Sequence, residues 1–215
     1  MRPSLRVPVL VLLVASMAGT LHAQTSRSDP SVSIRGAALI GYEHFLASGT
    51  FTGIFDTPGG AVYGGGGEVV VHGRFFARVD ATRFNKTGQR AFDLNGQVFR
   101  LGIPLTATIV PVTFTGGYRD LLNPHVAWYA GGGAGSWSYT ETSSGGDPAD
   151  SVKLRAGGYL VLGGIEYRFD RWFGVGFEGQ YARVPNAIGK NGLSADLGEH
   201  DLGGTSGVFR LVIGQ

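Results

Sequence analysis

Few residues of this chain could do chemistry, and most of those have a quieter reading. Beyond the first residues the histidines are His44, His72, His125 and His200. His44 precedes Ser48, and His200 precedes Ser206; a histidine beside a serine is the pair that nucleophilic attack on a lipid ester needs. Neither has a His-x-Ser deacylase spacing, and solvated loop histidines account for both. Glu68, Glu166 and Glu178 could pass for paired acid and base carboxylates. Each lies in an alternating segment, which favours salt-bridge partners inside a closed sheet. The glycine clusters at 64–67 and 131–135 are not followed by a helix and so do not read as phosphate cradles. No spacing suggests a metal site, and Asp147, Asp150, Asp196 and Asp201 read as loop carboxylates open to divalent cations. No catalytic residue, no metal ligand and no cofactor is predicted.

The elements that carry these residues alternate with a period of two. From Tyr159 to Val184, Tyr159, Val161, Ile165, Tyr167 and Phe169 fall on one face and Glu166 and Arg168 on the other. After Asp170-Arg171-Trp172, Phe173, Val175, Phe177 and Tyr181 oppose Gly174, Gly176, Glu178 and Gln180. Alternation with aromatics at strand ends and a very short turn is the pattern of a transmembrane β-hairpin. Tyr118, Tyr167, Phe169, Trp172 and Phe173 are expected to form an interfacial girdle. Alternation alone does not say which face is inside. A soluble lipocalin-like barrel would invert every face, and the girdle with the unequal connections favours lipid.

Arg2 and Arg6, the apolar run Val7–Ala18 and Leu21-His22-Ala23 read as a signal peptide over residues 1–23. A retained anchor helix is the alternative, and the apolar run is short for a span. Removing the leader takes two arginines and no acids, leaving 16 Lys+Arg against 16 Asp+Glu. A neutral chain without a clustered basic stripe argues against nucleic acid as a partner. The absence of cysteine excludes a lipid-anchored lipoprotein and a disulfide framework. Glycine, at 37 residues, suits a tightly curved sheet better than helices.

Residues 24–30 read as a flexible lead-in and 31–215 as one barrel. Strand 1 is expected over about 31–45 and a loop over 46–61. Strand 2 follows to about Arg74, then a tight turn at Phe75-Phe76. Asn95-Gly96 is a strong hairpin signal. It makes strands 3 and 4 about twenty residues each, unless Asn85–Gly88 breaks strand 3 early; both readings stand. Pro111 predicts a bulge in strand 4. Short turns at 120–124 and 170–172, strands over 125–139, the two arms above and 203–215, and loops at 140–151 and 185–202 complete eight strands. Arg35, Glu43, Glu68, Arg74, Arg78, Asp80, Glu166, Arg168, Glu178 and Arg210 are expected to pair within the lumen, since buried charges must be paired.

The stretch Ile109-Val-Pro-Val-Thr-Phe-Thr-Gly-Gly-Tyr-Arg119, then Asn123-Pro-His-Val-Ala-Trp-Tyr-Ala-Gly-Gly-Gly-Ala-Gly135, resembles the small OmpA/OmpX/OmpW-like outer-membrane barrels, as does Gly164–Glu178. The resemblance implies an all-β, eight-stranded antiparallel up-and-down transmembrane barrel in the outer membrane. Outer-membrane lipids and the barrel-assembly machinery would be its partners, and the barrel is expected to be monomeric. Such barrels commonly end on an aromatic residue; this chain ends Val212-Ile213-Gly214-Gln215, with Phe209 nearest. The function expected is structural or surface-interacting, through outer loops, a protruding strand 3–4 hairpin and a surface ligand not specified by sequence. A narrow pore for small or amphipathic solutes is the alternative, and a lipid-modifying enzyme the second.

Overall fold

A computed structural model describes residues 32–143 and 151–214. The expected leader and lead-in, and Asp147 and Asp150, lie outside the described residues.

Each strand follows from alternating side chains that must satisfy two different solvents. The order is β1 (Val32–Phe45), α1 (Ser48–Phe55), β2 (Gly59–Val71), β3 (Phe75–Leu94), β4 (Gln97–Asn123), β5 (Val126–Ser143), β6 (Val152–Arg168), β7 (Phe173–Val184), α2 (Leu193–Asp196) and β8 (Leu202–Gly214). The eight strands form one closed antiparallel ring, each paired with its chain neighbours and β1 with β8. The fold is an eight-stranded up-and-down transmembrane β-barrel. Closure leaves no strand edge within hydrocarbon, where unsatisfied backbone groups cost several kcal/mol each.

The inside–outside question is settled by exposure. Ile34 and Phe209 are 72% and 62% exposed, whereas Arg78 and Glu178 are 2% and 0% exposed. Apolar residues therefore face outward and charges inward. Phe75, Tyr118, Trp128, Tyr167, Phe169 and Phe173 lie near the short-turn rim, joined in part by ring contacts of 5.0–5.8 Å. Tyr42, Tyr63, Tyr159 and Tyr181 mark the opposite interface. Tyr159 to Tyr167 is eight steps of roughly 3.3 Å, which a strand tilted by about 40° turns into roughly 20 Å of apolar height, close to a barrel's usual band.

One turn and one bulge differ from expectation. His72 and Gly73 both have positive φ (50° and 67°), and Arg74 N–H donates to Val71 O at 3.1 Å. The β2–β3 turn therefore lies at 72–74, and Phe75-Phe76 already belongs to β3. Asn95 (φ 55°) and Gly96 (φ 81°) form the expected tight turn, and β3 runs unbroken through Asn85–Gly88. Pro111 makes no bulge: it keeps register with Trp137, and β4 holds one register with β3 on either side of it. Register shifts fall instead at Gln89/Ala91 and Leu121/Asn123.

Candidate functional site

The lumen is built in layers. Near the short-turn rim the Arg35 guanidinium pairs with Glu68 and, at 2.7 Å, with Glu166, which Arg119 also reaches at 3.1 Å. Above this, Arg78 Nη2 lies 2.7 Å from Glu178 Oε2, a charge contact without hydrogen-bond alignment. Arg78 Nε donates to Thr115 Oγ1 at 3.2 Å and lies 3.5 Å from Asp80. Arg210 donates to Asp80 at 3.0 Å. The Arg78 guanidinium also lies 5.1 and 5.5 Å from the ring centres of Phe76 and Tyr129. Only a space of about 10 Å³ remains among Arg35, Glu68, Arg78 and Glu166. That is about the minimum for one water.

Glycines make this crowding feasible. A Cβ at Gly117 would lie 2.5 Å from Phe76 Cζ, and one at Gly164 would lie 2.6 Å from the Tyr129 ring. Those two rings flank Arg78, so missing side chains on β4 and β6 make room for its pocket.

Of the residues expected in the lumen, Arg35, Glu68, Arg78, Asp80, Glu166, Glu178 and Arg210 meet in this network. Two placements are corrected. Arg74 is exposed, because the His72-Gly73 turn takes it out of the ladder. Arg168 is half-buried at the rim, where its carbonyl meets His125 Nδ1 at 3.1 Å, and it forms no ion pair among the described residues. Glu43 faces inward one layer above the network and stands apart from it. Arg119 joins the network without having been singled out; its alternation with Phe114 and Tyr118 was the available signal.

The loop rim is closed by a helix in the segment where the sequence predicts a loop. Phe51, Ile54 and Phe55 recur at helical spacing and bury one face of α1. Phe51 stacks on Phe45 at 4.0 Å, and Phe84 meets Phe45 edge-on at 4.9 Å. The Glu199 carboxylate accepts from Gly49 and Thr50 N–H at 2.9 and 2.7 Å. Arg100 donates to the carbonyls of Gly53 and Thr52 at 2.8 and 3.1 Å and pairs with Asp56. An anion at the N-terminus and a cation at the C-terminus complement the helix dipole.

Beyond the ring β3 and β4 continue as a raised hairpin whose inner face rests on α1. Among the described residues, β3 has no pairing with β2 beyond Phe84, and β4 has none with β5 beyond Leu105. Its outer face first carries Arg83, Asn85, Thr87 and Gln89 beside Thr106 and Thr108, with Asn85–Thr108 and Thr87–Thr106 hydrogen bonds of 2.7 and 2.8 Å. Apolar residues then return at the tip: Phe92, Leu94, Phe99 and Leu101 are each 38–55% exposed, and Phe92 stacks on Phe99 at 5.7 Å, while Val98, opposite Asp93, turns to the other face toward α1.

The paired histidines and serines are not assembled. His44 is exposed, His200 is exposed in the β7–β8 loop while Ser206 is half-buried, and neither pair shares a hydrogen bond. In the same loop, hydrogen bonds from Arg183 (2.7 Å) and Asn186 N–H (3.1 Å) hold the Asp201 carboxyl below the usual range. No group of three or more potential metal ligands occurs among the described residues.

No protein-family model and no curated protein matches the chain. Among solved structures, it is similar to the attachment invasion locus protein Ail of Yersinia pestis, bound there to the heparin analogue sucrose octasulfate. The identity is 13%, the TM-score 0.45, and the match covers 85% of this chain and 96% of that one. Neisserial surface protein A aligns at 12% identity and TM-score 0.47 over 86% and 96% of the two chains. The outer membrane protease OmpT of Escherichia coli aligns at 11% and 0.34 over 85% and 93%.

Proposed function

We propose that the chain is an exported, monomeric outer-membrane barrel that makes contacts at the cell surface through the raised β3–β4 hairpin. The observation that carries this reading is the order of chemistry along that hairpin's outer face. Apolar residues end at the membrane interface, a polar belt follows, and apolar residues return at the tip. From Arg83 to Gln89 is six steps of roughly 3.3 Å, so the tip stands about 20 Å along the strands beyond the start of the belt. The four apolar side chains on that face leave on the order of 300 Å² exposed, the scale at which a patch marks an interaction site. The hairpin's strand edges also offer backbone groups for pairing with a partner strand.

Outer-membrane lipid would cover the apolar band, and the barrel-assembly machinery would insert it. A pore reading needs an open path, and the ion-paired lumen with its aromatic closure weighs against one. A lipid-modifying enzyme would need an assembled nucleophile, which the described residues do not provide.

The test compares cells displaying wild-type protein with cells displaying Phe92→Ser/Phe99→Ser. Adhesion to octyl-coated beads and to an epithelial monolayer is scored at matched surface levels, with the heat-induced gel shift confirming the barrel. The reading expects both adhesions to fall for the variant. Equal adhesion by a folded variant on both surfaces sinks it.

A further inference from the structure

The ion-paired network is balanced: Arg35, Arg78, Arg119 and Arg210 meet Glu68, Asp80, Glu166 and Glu178. Glu43 is a further carboxylate, with no ion pair or hydrogen bond among the described residues. It sits in register with Ser206 on β8 and Gly60 on β2. With Asp80, Thr82, Thr113, Gln180 and Ser206 it lines a chamber of about 40 Å³, walled by Val62, Trp137 and Leu160. Phe45 and Phe84, the next inward residues after Glu43 and Thr82, make an edge-on contact one layer nearer the loop rim. Glu43 is half-buried within the barrel and lines the chamber.

A lone carboxylate in such a place has to be neutralised by a proton or by a cation. The chamber's composition favours the cation. Thr82, Thr113 and Ser206 present hydroxyls. The Gln180 amide donates its NH2 to Glu178 at 2.6 Å, which leaves its carbonyl oxygen available. An all-oxygen donor set selects hard cations. The charge selects among them. Asp80, the only other ionisable group lining the chamber among the described residues, is already matched by Arg210 and Arg78. One negative charge is left, so a monovalent ion balances the site and a divalent ion overshoots it. On the scale where about 10 Å³ holds one water, the chamber has room for roughly three or four, enough for a small ion that keeps part of its water shell. We propose that the chamber is a monovalent-cation site, with Glu43 as the charged ligand and sodium as the fitting ion.

The Phe45–Phe84 layer lies on the loop-rim side of the chamber, so the test lets the ion load during folding. Full-length mature barrel is therefore refolded into detergent micelles separately in sodium chloride and in choline chloride, at one pH and one ionic strength. Choline is too large to enter. The unfolding temperature of the wild type is expected to rise saturably with sodium, and Glu43→Gln is expected to lose that dependence. Equal unfolding temperatures in the two salts, a sodium effect that survives in Glu43→Gln, or a wild type that responds to pH alone would overturn the site. Should Glu43→Gln fail to fold, sodium-23 relaxation on the wild type decides: a broadened, saturable bound signal supports the site and free-ion relaxation overturns it.

Discussion

Removing Arg78 is the sharpest test of a lumen held by paired charge. Its side chain is 1% exposed and that of Glu178 is 0% exposed, with 2.7 Å between their charged atoms. Arg78→Met keeps most of the aliphatic stem but loses this contact, the bond to Thr115 and the positions beside Phe76 and Tyr129. Breaking a buried pair by removing one partner costs about 3–5 kcal/mol, chiefly because the other charge is stranded. Here Arg210, 3.9 Å from Glu178, and the amide of Gln180 soften the stranding, which places the expectation near the lower end, about 3 kcal/mol. Glu178→Gln should relieve much of that loss when added to Arg78→Met, so the double variant lies well short of the sum of the singles. The assay is equilibrium unfolding in urea of micelle-refolded barrel, for both single variants and the double, read as a coupling energy. Coupling below about 0.5 kcal/mol, the usual value for independent sites, would refute the account. The exposed Arg183–Asp201 pair is the internal control, and little coupling is expected there.

Gly117→Val places a side chain where even a Cβ would lie 2.5 Å from Phe76 Cζ and 2.3 Å from Ala130 O; a sharply reduced yield of heat-shifting barrel on refolding is expected, and normal yield would contradict the packing. Glu199→Ala removes the acceptor for two α1 amides, so hydrogen exchange at Gly49 and Thr50 should accelerate while the strand amides stay protected, with a loss of about 1–2 kcal/mol, as for a helix cap. Asp201, held low chiefly by Arg183, contributes stability that is complete above the unfolded aspartate value of about 4 and is lost as pH falls through its lower folded value. The difference between wild type and Asp201→Asn, followed by unfolding across pH 2–7, should therefore shrink only on the acid side; a difference that instead vanished on raising pH toward neutrality would reverse the sign.

Strand identity was legible because one period-two signal recurs wherever a sheet divides two solvents. Val175, Phe177 and Phe209, against Glu178 and Arg210, announce their faces without any neighbour in view. Asn95-Gly96 was legible for a local reason, since its two positive φ angles are what those residues tolerate. His72-Gly73 makes a turn of the same kind from a less favoured pair, and misplacing it by a few residues put Arg74 inside the lumen. The helix α1 was hidden by Gly49, Thr50, Thr52 and Gly53, whose poor helix propensity masks the spacing of Phe51, Ile54 and Phe55. Its stabilisation comes from outside its own segment, through Glu199 and Arg100, which no local reading can supply.

The pairing of lumen charges is a property of closure. Arg35 reaches Glu166, 131 positions away, and Arg210 reaches Asp80, 130 positions away. Alternation places each of these charges on the inward face but says nothing of its height within the barrel, which is set by register and tilt. Glycine runs such as 64–67 and 131–133 carry no side chains to declare that register; in the folded ring, rings and charges projecting from neighbouring strands fill the space they leave. Asp80 lies over Gly66, where a Cβ would meet its Oδ1 at 2.0 Å, and Phe76 lies over Gly117 and Gly131. The residues least informative in sequence are thus the ones that let the charged layers form. Glu43 shows the converse: it is assigned inward by alternation and left without an arginine by register, a distinction that exists only once β1 has closed against β8.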